Sequence, residues 1–443
     1  MKCTLARMSG RSPRLLCTLV CLLWMLLGCA GRNAAPPRYR PVEELQKCGP
    51  DECVETYLKF RRWADAAHYR GRMPYHCDPG SELDGRPDPD VTRMIFVVHG
   101  VVGGTPESIP HIDIAPGLFQ LRNVVNALRR AQKLDPSVDP GRLAIIAPTF
   151  QRTEEWQPYT DDDSRMWSWK GASYPRGTLA EYREAMSGIV KAESVSSFDV
   201  MDEFLRAAVV KFPNLEEVVL IGHSAGGQFV HRYAWMGVGV HEQLEAAGIR
   251  IRYVPTNPGS YAFPIPQRKV PPGRNSVPAG PGRGDTQSWR WITPKGCKDW
   301  DDWGHGLAQL SKAQGDRPIR AANYAIEHYL RPVDRKLARK AMRDPGSGTW
   351  DLAARRALTL MYASREIWHI QAATDHEYED PGCSAALQGR SRYERFLAYQ
   401  EIWTSKLGIA APNLHFVALE NASHPHSSKV VYSSDAGIHV LFH

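Results

Sequence analysis

Glu216-Glu217-Val218-Val219-Leu220-Ile221-Gly222-His223-Ser224-Ala225-Gly226-Gly227-Gln228-Phe229-Val230-His231-Arg232-Tyr233-Ala234 is the stretch that decides how this chain of 443 residues is read. The apolar, mostly β-branched run Val218 to Ile221 predicts a buried strand, and Phe229, Val230 and Tyr233 predict a packed helix after it. Between them lies a Gly-x-Ser-x-Gly turn. Such a turn holds its serine in a strained backbone conformation, which is tolerated only when the residues on either side are small. Gly222 and Gly226 meet that need. The helix opening after Ser224 brings unpaired N–H groups and a partial positive charge to the hydroxyl, an environment suited to a developing oxyanion. The three fixed positions alone carry little weight, so the argument rests on the strand and helix around them.

Upstream, residues 94–98 form another buried-strand pattern ending in His99-Gly100-Val101-Val102-Gly103-Gly104, with a helix expected over 118–133 and a strand over 143–148. An aromatic loop with Trp156, Trp167 and Trp169 follows, then a helix over 198–211. Downstream come a strand at 249–254, a strand at 367–373, a helix at 390–404 and a strand at 414–419. Strands alternating with helices predict a mostly parallel sheet flanked by helices. Residues 262–286 carry many Pro and Gly without periodicity, and 289–366 break into short helical pieces such as 320–329 and 352–364. About 262–366 is therefore expected to be a lid-like insertion above the sheet. Residues 42–67 read as a helical appendage, and 73–91, rich in Pro, Gly and Asp, as loop.

The first 28 residues have the form of a secretory signal: Lys2, Arg7, Arg11 and Arg14, then an apolar run over 15–27 too short to span a bilayer. Leu26-Leu27-Gly28-Cys29 resembles the lipobox of bacterial lipoproteins. That resemblance implies an acylated Cys29 at the mature N-terminus, and Ala30 after it implies delivery to the outer membrane. The Pro-rich residues 32–41 read as a tether. The organisation expected is a signal at 1–28, a lipidated and helical N-terminal part at 29–72, and a catalytic domain at 73–443. Removing the signal's four positive charges takes the net charge from +7 to +3. Cations and acids are interspersed and no nucleic-acid module is present, so no nucleic-acid partner is expected.

The order of parts from Met94 to the C-terminus resembles the α/β-hydrolase superfamily. His99-Gly100 matches the strand end that precedes the oxyanion loop, Gly222 to Gly226 the nucleophile elbow, and Asp375 and His424 the acid and base after late strands, in the order Ser, acid, His. The chemistry needs these parts. A serine hydroxyl is a poor nucleophile at neutral pH without a base in hydrogen-bond reach, and the base needs an acceptor to fix its tautomer and stabilise the imidazolium. The resemblance implies Ser224 as nucleophile, Asp375 as acid and His424 as base, with the N–H groups of Ala225 and Val101 as oxyanion donors. Asp375 directly follows its strand, whereas Glu377 and Asp380 lie farther into the loop. His426 is the alternative base. His99 is expected to shape the oxyanion turn, and the tryptophans either to line a pocket or to pack the insertion.

Of nine cysteines, Cys3, Cys17 and Cys21 leave with the signal. A disulfide between Cys297 and Cys383 is expected, because one begins the helical part of the insertion and the other lies in the loop after the acid. No Cys-x-x-Cys or His-Glu-x-x-His pattern occurs, so neither metal nor cofactor is expected. Two classes of function follow: a serine hydrolase acting on carboxylic esters through an acyl-enzyme, or an inactive lipoprotein that keeps the hydrolase fold for binding.

Overall fold

The computed structural model describes residues 56–59, 72–100, 116–152, 167–171, 173–183, 190–236, 239–270, 288–297, 300–307, 351–375, 382–420, 422 and 427–443. All belong to one compact unit, Pro41–His443. Its main sheet has eight strands: β1 (Thr56–Lys59), β2 (Arg72–Cys77), β3 (Arg93–Val98), β4 (Leu143–Pro148), β5 (Glu217–His223), β6 (Arg250–Thr256), β7 (Glu366–Ala372) and β8 (Leu414–Leu419). Their spatial order is β1-β2-β4-β3-β5-β6-β7-β8. β2 pairs antiparallel with both its neighbours, and all pairs from β4 to β8 are parallel.

The apolar runs explain why this sheet is central. In β3 and β5, Met94, Phe96, Val98, Val218 and Leu220 enter the core on one face, and Ile95, Val97, Val219 and Ile221 the core on the other. Side chains of a strand alternate between faces, so a continuous apolar run buries both. The first face is covered by α2 (Ser197–Lys211), α3 (Ala225–Met236), α5 (Asp351–Ser364) and α7 (Arg392–Glu401), after α4 (Gly239–Ala246) and α6 (Gly382–Ala386) are counted in chain order. The second is covered by α1 (Pro116–Leu134), α8 (Ser427–Tyr432) and α9 (Asp435–Phe442). At the start of α2, the Ser196 hydroxyl accepts from Asp199 N (3.0 Å) and the Asp199 carboxylate accepts from Ser196 N (2.7 Å), a reciprocal cap that sets where the helix begins.

Three expectations are corrected. Within the expected helix 42–67, Thr56–Lys59 is a strand, and within the expected loop 73–91 lies most of β2, so the sheet reaches back beyond residue 73. Pro74 argues against a strand in sequence, yet residues 72–75 of β2 pair with β1 and 75–77 with β4, so Pro74 falls where one neighbour only is bonded. The aromatic loop is in part a four-stranded sheet, Gln151–Arg152, Trp167–Trp169, Leu179–Arg183 and Val190–Ser196. Trp167 and Trp169 are fully buried in it, and the Trp169 indole donates to Thr178 O (3.1 Å), which is the packing role rather than the pocket one. Of the insertion, the structure describes a two-stranded sheet, Arg268–Val270 with Arg290–Ile292, and α5; the expected helix at 320–329 lies outside the described residues.

Cys297 and Cys383 form a disulfide, with Cα atoms 6.0 Å apart, joining the insertion to α6. Closing a loop of about 85 residues stabilises by about 4 kcal/mol in the chain-entropy model. Cys297→Ser is expected to lower the unfolding free energy of the oxidised protein by an amount of that order, read from the urea midpoint. A loss below about 1 kcal/mol would show that the bridge constrains little of the unfolded chain.

Burial keeps several histidines neutral. It pushes His76 and His99 down to about 4, His369 to about 3 and His241 to about 2. Unfolding returns them to about 6.5, so below that pH the unfolded chain binds more protons and stability falls as pH drops toward 4. Burial also raises Asp78 to about 6 and Asp202 to about 7, which opposes this trend between about pH 4 and 7. The histidines outnumber the aspartates, so the melting temperature is expected to be lower at about pH 4.5 than at about pH 7. An equal or higher value in acid would show that these imidazoles titrate freely in the fold.

Candidate active site

At the end of β5 the chain turns directly into α3, and Ser224 at the junction has φ 56°, left-handed backbone that a non-glycine residue rarely adopts. A Cβ on Gly222 would stand 2.3 Å from Gly226 O, one on Gly226 2.0 Å from Val98 O, and one on Gly227 2.3 Å from Thr256 O. Glycine at these three positions lets α3 press against the ends of β3 and β6. Ser224 N donates to Thr256 O (3.0 Å), and Gln228 N donates to Ser224 O (2.9 Å), which closes the first helical turn. Ser224 itself is half-buried. Ala225 opens α3, so its N–H has no acceptor within the helix and lies beside Ser224.

The end of β3 lies against this turn. A Cβ on Gly100 would be 3.2 Å from Ser224 Cβ and 3.9 Å from Ala225 N. His99 shapes the approach, as expected: its Nδ1 and the Gly100 carbonyl lie 2.8 Å apart, and its Nε2 accepts from Phe150 N (2.8 Å). That pattern requires the neutral ring with the proton on Nδ1, in keeping with the lowered pKa. The Tyr174 hydroxyl donates to His99 O (2.7 Å). Val101, the expected second oxyanion donor, lies outside the described residues.

β6 and β7 bring Asp375, the expected acid, to the same edge. Thr256 is in register with His223 on one side and Ile370 on the other. Asn257, also left-handed at φ 44°, donates its N–H to Ile370 O (3.1 Å) and accepts from Ala372 N through Oδ1 (2.8 Å). Asp375, three residues past β7, is fully buried. Its N–H donates to Ala372 O (3.2 Å) and its carbonyl accepts from Tyr393 N (3.4 Å). Arg392 Nη1 stands 3.5 Å from Asp375 Oδ1, both side chains buried. Burial first, then the charges of Tyr399 and Asp375, raise the Tyr261 phenol well above its ordinary value, so this ring stays protonated beside Asp375.

His424 and His426 lie outside the described residues, but the base of their loop does not. Ala373 N donates to Leu419 O (2.9 Å), and the Thr374 hydroxyl donates to Ala422 O. The loops after β7 and β8 are thus joined one residue before Asp375 and two before His424. Sequence reasoning missed Thr374, Arg392 and Asn257 as parts of this edge. Asn257-Pro258-Gly259 is a visible turn signal, but nothing local marks the other two.

Eight strands in this order, one of them antiparallel to its neighbours near the start, and a strained serine between the fifth strand and its helix decide the fold. This is the α/β-hydrolase fold. Sequence comparison adds no relative: no family model matches the chain, and no curated protein does. Among solved structures, the chain is similar to a poly(3-hydroxybutyrate) depolymerase, LpqC, from Bordetella parapertussis, with 17% identity, 88% of this chain and 96% of that one covered, and a TM-score of 0.41. It is also similar to poly(aspartic acid) hydrolase-1 from Sphingomonas sp. KT-1, at 15% identity, 88% and 98% coverage and a TM-score of 0.38. A siderophore hydrolase, EstB, from Aspergillus nidulans matches at 12% identity, 88% and 94% coverage and a TM-score of 0.37. Among the described residues, no group of three or more His, Cys, Asp or Glu side chains could hold a metal ion, and no helix is long and apolar enough to cross a membrane.

Proposed function

We propose that the protein is a serine hydrolase of carboxylic esters. The observation that carries this reading is Ser224, held at φ 56° on the N-terminus of α3 with Gly100 packed against its Cβ. A half-buried hydroxyl in strained backbone, beside a helix N-terminus, is placed for attack rather than for packing. In the reaction Ser224 Oγ bonds to the ester carbonyl carbon while its proton passes to the base, His424. The carbonyl oxygen becomes an oxyanion facing the N–H groups of Ala225 and Val101. Collapse breaks the bond to the alcohol oxygen, which leaves with the proton from His424. Water then repeats the sequence on the acyl-enzyme, releasing the acid and restoring Ser224. Asp375 holds the imidazole tautomer and stabilises its charged form, and Arg392 fixes Asp375 in turn.

The N-terminal signal and the Leu-Leu-Gly-Cys junction support an exported lipoprotein, acylated on Cys29 and held at a membrane by several chains. Retention of Cys29→Ser protein in the membrane fraction would overturn the lipid anchor. For the activity, the test is a fluorophosphonate probe on folded, signal-free protein together with a panel of p-nitrophenyl esters. Labelling of Ser224 and ester turnover are expected. Folded protein that neither labels nor turns over any ester would instead be a binding protein on a hydrolase fold.

A further inference from the structure

Arg232 lies on α3, two turns beyond Ser224, and its side chain is fully buried. Nη1 donates to Gln228 Oε1 (2.9 Å) and reaches Pro175 O (3.5 Å); Nη2 donates to Ser260 Oγ (2.8 Å) and Gly304 O (2.6 Å). Nε is buried without a hydrogen-bond partner among the described residues. Every acceptor is neutral. Another buried arginine of this region, Arg268, has a carboxylate, Asp301, at 3.0 Å, and Arg355 shares it.

A second cation lies beside Arg232. The guanidinium of Arg176 packs over Gly304, where an added Cβ would stand 3.2 Å from its Nε and 3.6 Å from its Cζ. Gly304 has φ +108°, so the loop comes under Arg176 in a conformation that favours glycine. The backbone of Arg176 is fixed, its carbonyl accepting from the Trp303 indole (2.7 Å), but no hydrogen bond or ion pair joins its guanidinium to a described residue. His305 follows, half-buried. Burial, then Arg176, Arg232, Arg268 and Arg395, hold its pKa well below the usual value, so it is a neutral ring among cations.

Burying a guanidinium with no counter-charge among the described residues is costly, and a second cation beside it adds to the cost. Burial and Arg176 both lower the Arg232 pKa. An arriving anion would relieve that cost, and a carboxylate fits the planar fork of a guanidinium. The pair is also linked to the elements that hold Ser224. Gln228, which Arg232 grips, is one helical turn, about 6 Å, beyond Ser224, and Tyr174, two residues before Arg176, is bonded to the end of β3.

We propose that Arg176, backed by the buried charge of Arg232 and by His305, binds a carboxylate carried by the substrate, so that the enzyme prefers anionic esters. This rests on the serine hydrolase reading above. Arg176 makes the contact. Arg232, with its outer nitrogens committed to carbonyl and side-chain acceptors, acts through its field.

Two measurements test it. The first compares kcat/KM for p-nitrophenyl monoesters of succinic through suberic acid with p-nitrophenyl alkanoates of matching length, and for 4-acetoxybenzoate with phenyl acetate. One pair covers an anion on the acyl side and the other an anion on the alcohol. A charge-assisted hydrogen bond predicts an anionic preference of about ten- to hundredfold in at least one pair, carried mostly by KM. Arg176→Gln is expected to remove most of that ratio and Arg176→Lys to keep part of it. The second titrates Ser224→Ala protein with the same esters by calorimetry, which reads binding without turnover. Equal kcat/KM for charged and neutral esters, or a ratio that Arg176→Gln leaves in place, overturns the carboxylate site. If no ester is turned over by the wild type, the hydrolase reading fails, and tighter binding of the anionic esters, lost on Arg176→Gln, still decides the site.

Discussion

Ser224→Ala is expected to lower turnover of p-nitrophenyl esters on the order of 10⁶-fold while circular dichroism stays that of the wild type. Members of a triad act as a unit, so loss of the base should cost about as much as loss of the nucleophile, and loss of the acid less. His424→Ala is therefore expected to match Ser224→Ala, with His426→Ala well above both. The chain order supports His424, since the bond from Thr374 to Ala422 O ties the two loops two residues before it. An inactive His426→Ala beside an active His424→Ala would move the base to His426 and leave the class intact. Full esterase activity in Ser224→Ala would end the serine hydrolase reading altogether.

How far the fold can be read from sequence depends on where each element gets its stability. β3, β4 and β5 are legible because a strand buried on both faces must be an unbroken apolar run, and the helices between them repeat every three to four residues. Ser224 is legible because the strain at its φ demands small neighbours at fixed offsets. β1 and β2 are not, since Thr56–Lys59 is polar at both ends and β2 contains Pro74; pairing in the sheet outweighs local preference there. The Trp-rich sheet is illegible for the same reason, with strands as short as Gln151–Arg152. Asp375 could be placed by its distance from β7, but its contact with Arg392 spans a loop and is set by how α7 docks. The same is true of Arg176 and Arg232, which come together through Gly304 and the Pro175 carbonyl.

Gly226→Ala is expected to destabilise the protein by more than about 4 kcal/mol, or to prevent folding, although the change adds a single methyl group. The Cβ would lie 2.0 Å from Val98 O and 2.6 Å from His99 O, both backbone atoms of β3 and the turn after it. No side chain can swing aside. Relief requires α3 to move away from the sheet, which would separate Phe229, Val230 and Tyr233 from the core they fill. Ser224→Gly makes the opposite case, because it removes the Cβ from left-handed backbone and should stabilise by about 1 kcal/mol relative to Ser224→Ala. Thermal or urea unfolding of the three variants reads the comparison directly. If Gly226→Ala unfolds with the wild-type midpoint, α3 does not press on β3 as closely as the structure places it. If Ser224→Gly is no more stable than Ser224→Ala, the serine is held without strain, and the physical reason for reading it as a nucleophile is lost.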